Sequence, residues 1–191
     1  ITNASLPPVA YGADGQARGV AVDLTLAAAA AAGLDVRIEA MDWQQAQSEM
    51  AAGRADALVH INPTPERLKW LAFSAPLLES RFHLFRRVER VEIVDLASLA
   101  GRRVGVERAG FPVQFLAAHP QVKVEFVRSW EEGVERVRRG EIDALFVDRW
   151  AGDHALARTH ASDVVAVEPE VARDTSRIAV ARDRAELLAA L

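Results

Sequence analysis

An internal repeat constrains this chain more than any other feature. Trp43 stands ten residues before Gly53-Arg54-Ala55-Asp56-Ala57-Leu58-Val59, and Trp130 stands ten residues before Gly140-Glu141-Ile142-Asp143-Ala144-Leu145-Phe146. An alternating stretch precedes each copy, Val36-Arg37-Ile38-Glu39 in the first and Val122-Lys123-Val124-Glu125 in the second. The unit reads strand, Trp, amphipathic helix, Gly-x-x-Asp-Ala-Leu, strand. Glycine suits the helix end because it takes a left-handed conformation at low cost. The Asp is expected to cap backbone N–H groups in the tight turn. The apolar run after it reads as a buried parallel strand. Two copies imply two similar lobes, each with its own small sheet. Ligands of open α/β sheets sit at the carboxyl ends of strands. Those ends carry His60-Ile61-Asn62 in the first copy and Asp148 in the second.

The rest of the chain follows the same grammar. Helices are predicted over Val20–Gly33, Trp43–Ala52, Thr64–Trp70, Leu96–Leu99, Pro112–Ala118, Glu131–Arg139, Ala151–Thr159 and Arg184–Leu191. Strands are predicted over Val36–Ala40, Ala57–Ile61, Arg81–Arg87, Arg103–Glu107, Val122–Val127, Ala144–Val147 and Arg177–Ala181. This alternation predicts an α/β fold with mostly parallel sheets.

Composition narrows the chemistry. The net charge is −4, and the charges are spread along the chain without a basic block, which argues against nucleic acid as a partner. Cysteine is absent, so disulfides, thiolate zinc, iron–sulfur ligation and a cysteine nucleophile are excluded. His60, His83, His119, His154 and His160 show no metal spacing, and no phosphate loop or Gly-x-Ser-x-Gly is present, so no metal and no cofactor are expected. No apolar run is long enough to span a bilayer. A chain opening at Ile1 rather than methionine reads as a processed protein or a piece of a longer one.

Several segments, in order and spacing, resemble the bacterial extracellular solute-binding proteins of family 3. They are Thr2-Asn3-Ala4-Ser5-Leu6-Pro7-Pro8, the stretch from Gly15 to Leu24, Ala52 to Ala57, Thr64-Pro65-Glu66-Arg67 and Phe73 to Leu77. Leu99 to Val106 and Gly140 to Asp148 continue the match in the second half. The resemblance implies a two-lobed type II periplasmic-binding fold of the Venus flytrap kind. Lobe 1 is then expected at 1–87 and 176–191 and lobe 2 at 88–175, with two crossovers. The resemblance also implies further helices beyond Leu191.

Arg67 follows a helix-start signal, where a guanidinium beside unpaired N–H groups can grip a carboxylate; the resemblance gives it the ligand's α-carboxylate. A surface ion pair is the alternative. The resemblance pairs Asp148 with an α-amino group, while a helix N-cap is its ordinary alternative. Trp43 matches an aromatic that packs on the ligand, or else anchors the core as Trp130 would. His60 and Asn62 hold the polar positions after the first-lobe strand. The backbone N–H groups of Gly110 and Phe111 stand where the family has hydroxyl donors. Tyr11 is placed near the mouth of the site. Leu6 replaces a common aromatic lid and Asn3 a common acid. These departures point to a ligand that is less polar, aromatic or not an α-amino acid.

The resulting expectation is an extracytoplasmic, periplasmic or extracellular binding module for a small amino-acid-like or carboxylate ligand. It would serve as the sensor domain of a membrane receptor or as the binding subunit of an ABC transporter. An enzyme of the dehydratase type on the same fold and a ligand-free interaction domain are the alternatives. One zwitterion gripped by Arg67 and Asp148 from the two lobes would favour the closed state.

Overall fold

A computed structural model describes residues 1–190. The chain forms two compact units, one of Ile1–Glu79 with the segment from Asp174 onward, the other of Ser80–Arg173.

The first unit opens with β1 (Thr2–Asn3), β2 (Ser5–Leu6), β3 (Ala10–Ala13) and β4 (Gln16–Arg18), the last three forming an antiparallel meander. Then come α1 (Val20–Ala31), β5 (Ala40–Met41), α2 (Trp43–Ala51), β6 (Ala57–Ile61) and β7 (Leu71–Phe73). β1 is the middle of a parallel trio. It pairs with β5 through the rung Thr2–Ala40. On its other side the Val59 N–H donates to Ile1 O at 2.9 Å, and the Ile1 amine donates to Ala57 O at 2.9 Å.

Two expectations change here. The strand predicted over Val36–Ala40 shrinks to β5, because the ladder begins only at Thr2–Ala40, and Leu34 and Val36 are 38% and 36% exposed rather than packed. The helix predicted from Thr64 is a single 3-10 turn, Arg67–Lys69. Thr64 does cap it, its Oγ1 accepting the Arg67 N–H at 3.3 Å and its carbonyl the Leu68 N–H at 2.9 Å. Pro63 and Pro65 fix the backbone on either side of that cap, and β7 begins at Leu71, which leaves no length for an α-helix.

β8 (Leu78–Arg87) leads into the second unit, followed by β9 (Arg103–Glu107), α3 (Phe111–Leu116), β10 (Lys123–Val127), α4 (Trp130–Arg138), β11 (Ala144–Asp148), α5 (Arg149–Thr159) and β12 (Val164–Ala166). Ala97–Leu99 is again a 3-10 turn where a short helix was predicted. β10, β9 and β11 form a parallel ladder, while β8 lies antiparallel to β11 and β12 antiparallel to β8. Phe82, Leu84, Val104, Val106, Leu116 and Phe146 centre its core. β13 (Ala172–Ala181) returns the chain and pairs antiparallel with β6 and β7. The terminal helix predicted over Arg184–Leu191 is 3-10 over Arg182–Ala190, with a break at Arg184; Leu191 lies outside the described residues.

The two repeat copies fold alike. α2 and α4 each run nine residues from a tryptophan, capped by Asp42 and Ser129. Gly53 and Gly140 both end their turn at φ 70°. The aspartates depart from the predicted turn caps. Asp143 instead accepts the Arg103 N–H at the start of β9 at 2.8 Å, and Asp56 accepts from Arg184 at 2.6 Å. In the second unit α5 lies so close to β8 that a Cβ added at Gly152 would stand 2.1 Å from the Phe85 ring. Gly53 has nothing within 4 Å of such a Cβ, so there only the positive φ opposes a side chain. Gly152→Ala is therefore expected to cost about 2 kcal/mol or more, and Gly53→Ala about 1 kcal/mol, in urea unfolding.

Candidate functional site

The first unit gathers its main candidate side chains where β6 ends. β6 carries one residue more than β13 across this stretch: Leu58 opposes Ala179 while Ile61 opposes Arg177. The surplus is absorbed at His60, whose φ is 61°. A β-bulge of this kind bends the strand and re-aims a side chain. The left-handed conformation costs a non-glycine residue on the order of 1 kcal/mol. His60 is 8% exposed, and burial pushes its imidazole down to about 4, so it is neutral at physiological pH.

Beyond the bulge the chain turns through Asn62-Pro63-Thr64 to Arg67. The Arg67 guanidinium is 3% exposed. Its Nη1 donates to Asn62 O at 2.8 Å and its Nη2 to Gln47 Oε1 at 3.3 Å. Burial lowers its pKa to about 10, and Asp174 partly offsets this, so the group keeps its charge at neutral pH. Gln47 in turn donates through Nε2 to Trp43 O, four residues back on α2, at 3.3 Å. Trp43 is 6% exposed, and the Asp42 cap that accepts the Gln45 N–H at 2.9 Å fixes where its helix begins. Buried Asn62 has an amide nitrogen, Nδ2, that makes no hydrogen bond. A buried donor without an acceptor is rare and costly in a folded protein.

Asn62 and Arg67 are thus brought together within this unit and joined to α2 by Gln47, which the sequence does not single out, while Trp43 enters this chain only through its backbone carbonyl. The one signal is that Gln47 lies one helical turn after Trp43 and shares its face. The remaining first-unit candidates sit on the opening strands. Asn3 is buried on β1, its Oδ1 accepting the Ser5 N–H at 2.8 Å. Leu6 is buried on β2 opposite Ala10, and half-exposed Tyr11 on β3 faces Ser5.

In the second unit Asp148 ends β11 and is 4% exposed. Its Oδ1 accepts the Trp150 N–H at 3.0 Å, so the N-cap role is real. Burial nevertheless dominates and pushes the carboxyl up to about 6, against the pull of the Trp150, Arg81 and Ala151 backbone and of nearby His83. Asp148 opposes Phe82 across the ladder, and the Phe82 ring stacks on Phe111 with centroids 4.4 Å apart. The Phe111 side chain therefore belongs to the core. The buried Gly110 donates its N–H to Glu107 O at 3.4 Å and precedes the first turn of α3. Trp130 is buried as a core anchor at the head of α4.

Parallel trios with connecting helices, polar groups at their carboxyl ends and two chain passages define the type II periplasmic-binding fold. The profile of the bacterial extracellular solute-binding proteins, family 3, matches residues 1–109, more than half of the sequence, and the chain belongs to this family. A histidine kinase sensor domain similar to periplasmic binding proteins superposes with a TM-score of 0.91 at 24% identity, covering 99% of this chain and 84% of that one. An ancestral arginine-binding protein bound to arginine gives a TM-score of 0.85 at 25% identity, covering 99% and 86%. The virulence sensor protein BvgS of Bordetella pertussis (strain Tohama I) is 26% identical over 147 residues, 76% of this chain. The match spans only 12% of BvgS. These relatives are binding and sensor proteins.

The buried carboxyl gives the site a pH signature. Asp148 has a folded value above 3.8, so the folded state takes up its proton first. Its contribution to stability is fully present below 3.8 and is lost as pH rises through about 6. Asparagine keeps the cap. Urea midpoints measured from pH 4 to pH 7 are expected to show Asp148→Asn gaining on the order of 2 kcal/mol over wild type across that range. His60→Gly relieves the bulge strain but deletes a buried ring, and is expected to lower stability by about 1 kcal/mol or more in the same assay.

Proposed function

We propose that this chain is the extracytoplasmic ligand-binding domain of a membrane sensor, and that it captures a small ligand bearing a carboxylate. The observation that carries the reading is the pair of donors at the end of β6. One is the buried, charged Arg67 guanidinium, and the other is the Asn62 Nδ2, which lacks an acceptor. A ligand carboxylate would satisfy the amide and meet the guanidinium in one step, and a charge-assisted pairing of this kind is among the stronger hydrogen-bonding arrangements. Trp43 offers an apolar face, and neutral His60 a polar contact without charge. In this reading the two compact units are the two lobes. Asp148 is then the residue of the second unit that would meet an ammonium group. Gly110 and Phe111 contribute backbone N–H groups from the same lobe, and Asn3, Leu6 and Tyr11 border the ligand from the first.

Likeness to a histidine kinase sensor domain and to BvgS supports a receptor over a transporter subunit. Likeness to a protein bound to arginine, and again to glutamine, supports an amino-acid-like ligand.

Small molecules released from the purified protein by denaturation, identified by mass spectrometry, are expected to contain a carboxylate. In calorimetry with that compound, or with L-arginine and L-glutamine as first probes, Arg67→Ala is expected to weaken binding at least ~30-fold, about 2 kcal/mol. Arg102→Ala, whose side chain bonds Ser98 O and faces Glu92, is expected to bind like wild type. Equal affinity in both variants refutes the site.

A further inference from the structure

His83, Glu168 and Glu170 meet within the second unit although they are remote in sequence. One ring nitrogen of His83 and one carboxylate oxygen from each glutamate all lie within 4.8 Å of one another. They line a recess of about 330 Å³ that Arg81, Arg149 and Trp150 share. His83 stands on β8 and is 3% exposed. Its Nδ1 is 3.0 Å from Val167 O and 3.6 Å from Glu168 Oε2, so the ring is oriented before any ion arrives. With Nδ1–H donated to the Val167 carbonyl, Nε2 is the nitrogen left to ligate, an arrangement frequent in histidine metal sites.

The glutamates already have partners. Glu168 pairs with Arg149, and Glu170 accepts Arg173 Nε at 2.9 Å. Both pairs are open to solvent, with side-chain exposures of 37% and 63% in the first and 52% and 22% in the second. Pairs of this kind contribute at most about 1 kcal/mol, too little to exclude a divalent ion. Arg81 and Arg149 line the recess and Arg173 pairs with Glu170, which together offset the charge of Glu168, Glu170 and Asp153. One nitrogen and two carboxylate oxygens form a donor set that zinc accepts at about 2.0–2.2 Å, with the remaining position left to water.

We propose that His83, Glu168 and Glu170 form a divalent-cation site of the zinc class. It uses none of the residues of the ligand reading above, although His83 lies near Asp148. Ligand spacing along the sequence does not announce the site, because His83 stands more than eighty residues from the two glutamates. Here β8 supplies one ligand, and the segment between β12 and β13 supplies the other two. An ion bound there ties the strand that leads into this unit to the segment that leads out.

The test is calorimetric titration of tag-free protein with zinc chloride at pH 7.5, with thermal melting alongside. Wild type is expected to bind one zinc ion and to melt at a higher temperature with it. Glu170→Gln and His83→Gln are each expected to weaken binding about 10-fold or more. If His83→Gln melts early without zinc, the Glu168→Gln/Glu170→Gln double variant decides, because both positions are only partly buried. Three results overturn the site: no saturable one-to-one binding, an isotherm unchanged in the double variant, or loss of binding on replacing His154 and His160 instead.

Discussion

Removing charge from water is the constraint on which this molecule is organised. A guanidinium at 3% exposure and a carboxyl at 4% exposure both disfavour folding unless the backbone around them compensates. Each has its own compensation. Arg67 is held by the Asn62 carbonyl and the Gln47 amide oxygen, with Asp174 near enough to favour its charge. Asp148 accepts backbone N–H groups at the head of α5. In each case the local path of the chain serves the ionisable group: a proline-flanked turn after β6, and a helix that starts directly on the acid after β11.

The repeat makes that contrast informative. Both copies build the same tryptophan-led helix, the same left-handed glycine and the same five-residue strand. They diverge before the helix, where β5 has two residues against five in β10, and again where the second strand ends. In the first copy Pro63 holds Asn62 extended and β7 begins at Leu71, so only one turn forms, and the Arg67 guanidinium reaches back to the Asn62 carbonyl. The second copy has no such block, so Asp148 caps eleven residues of α5. One scaffold has thus been used to present a cation in one unit and an acid in the other.

Much of this was legible in the residues, and what was not has identifiable causes. The helices and their glycine ends were read from spacing because such local signals act within a few residues. The strand predicted over Val36–Ala40 failed because alternation reports a face but not the presence of a neighbouring strand. The bulge at His60 was invisible because it arises from a mismatch with β13, more than a hundred positions away. Gln47 does not stand out in the sequence because a glutamine on a helix is ordinary until its partner, Arg67, is known. Gly152 carries no local turn signal; its reason is the ring of Phe85. The placement of Phe111 in the core depends likewise on Phe82, which comes from another element.

The N-cap has a mechanical side. One oxygen of Asp148 already holds the first turn of α5, and the carboxyl as a whole sits near the midpoint of its titration in mildly acidic water. Anything that alters the charge on this group therefore alters the grip on the helix. A change of charge at one carboxyl is thus felt first at the leading turn of an eleven-residue helix.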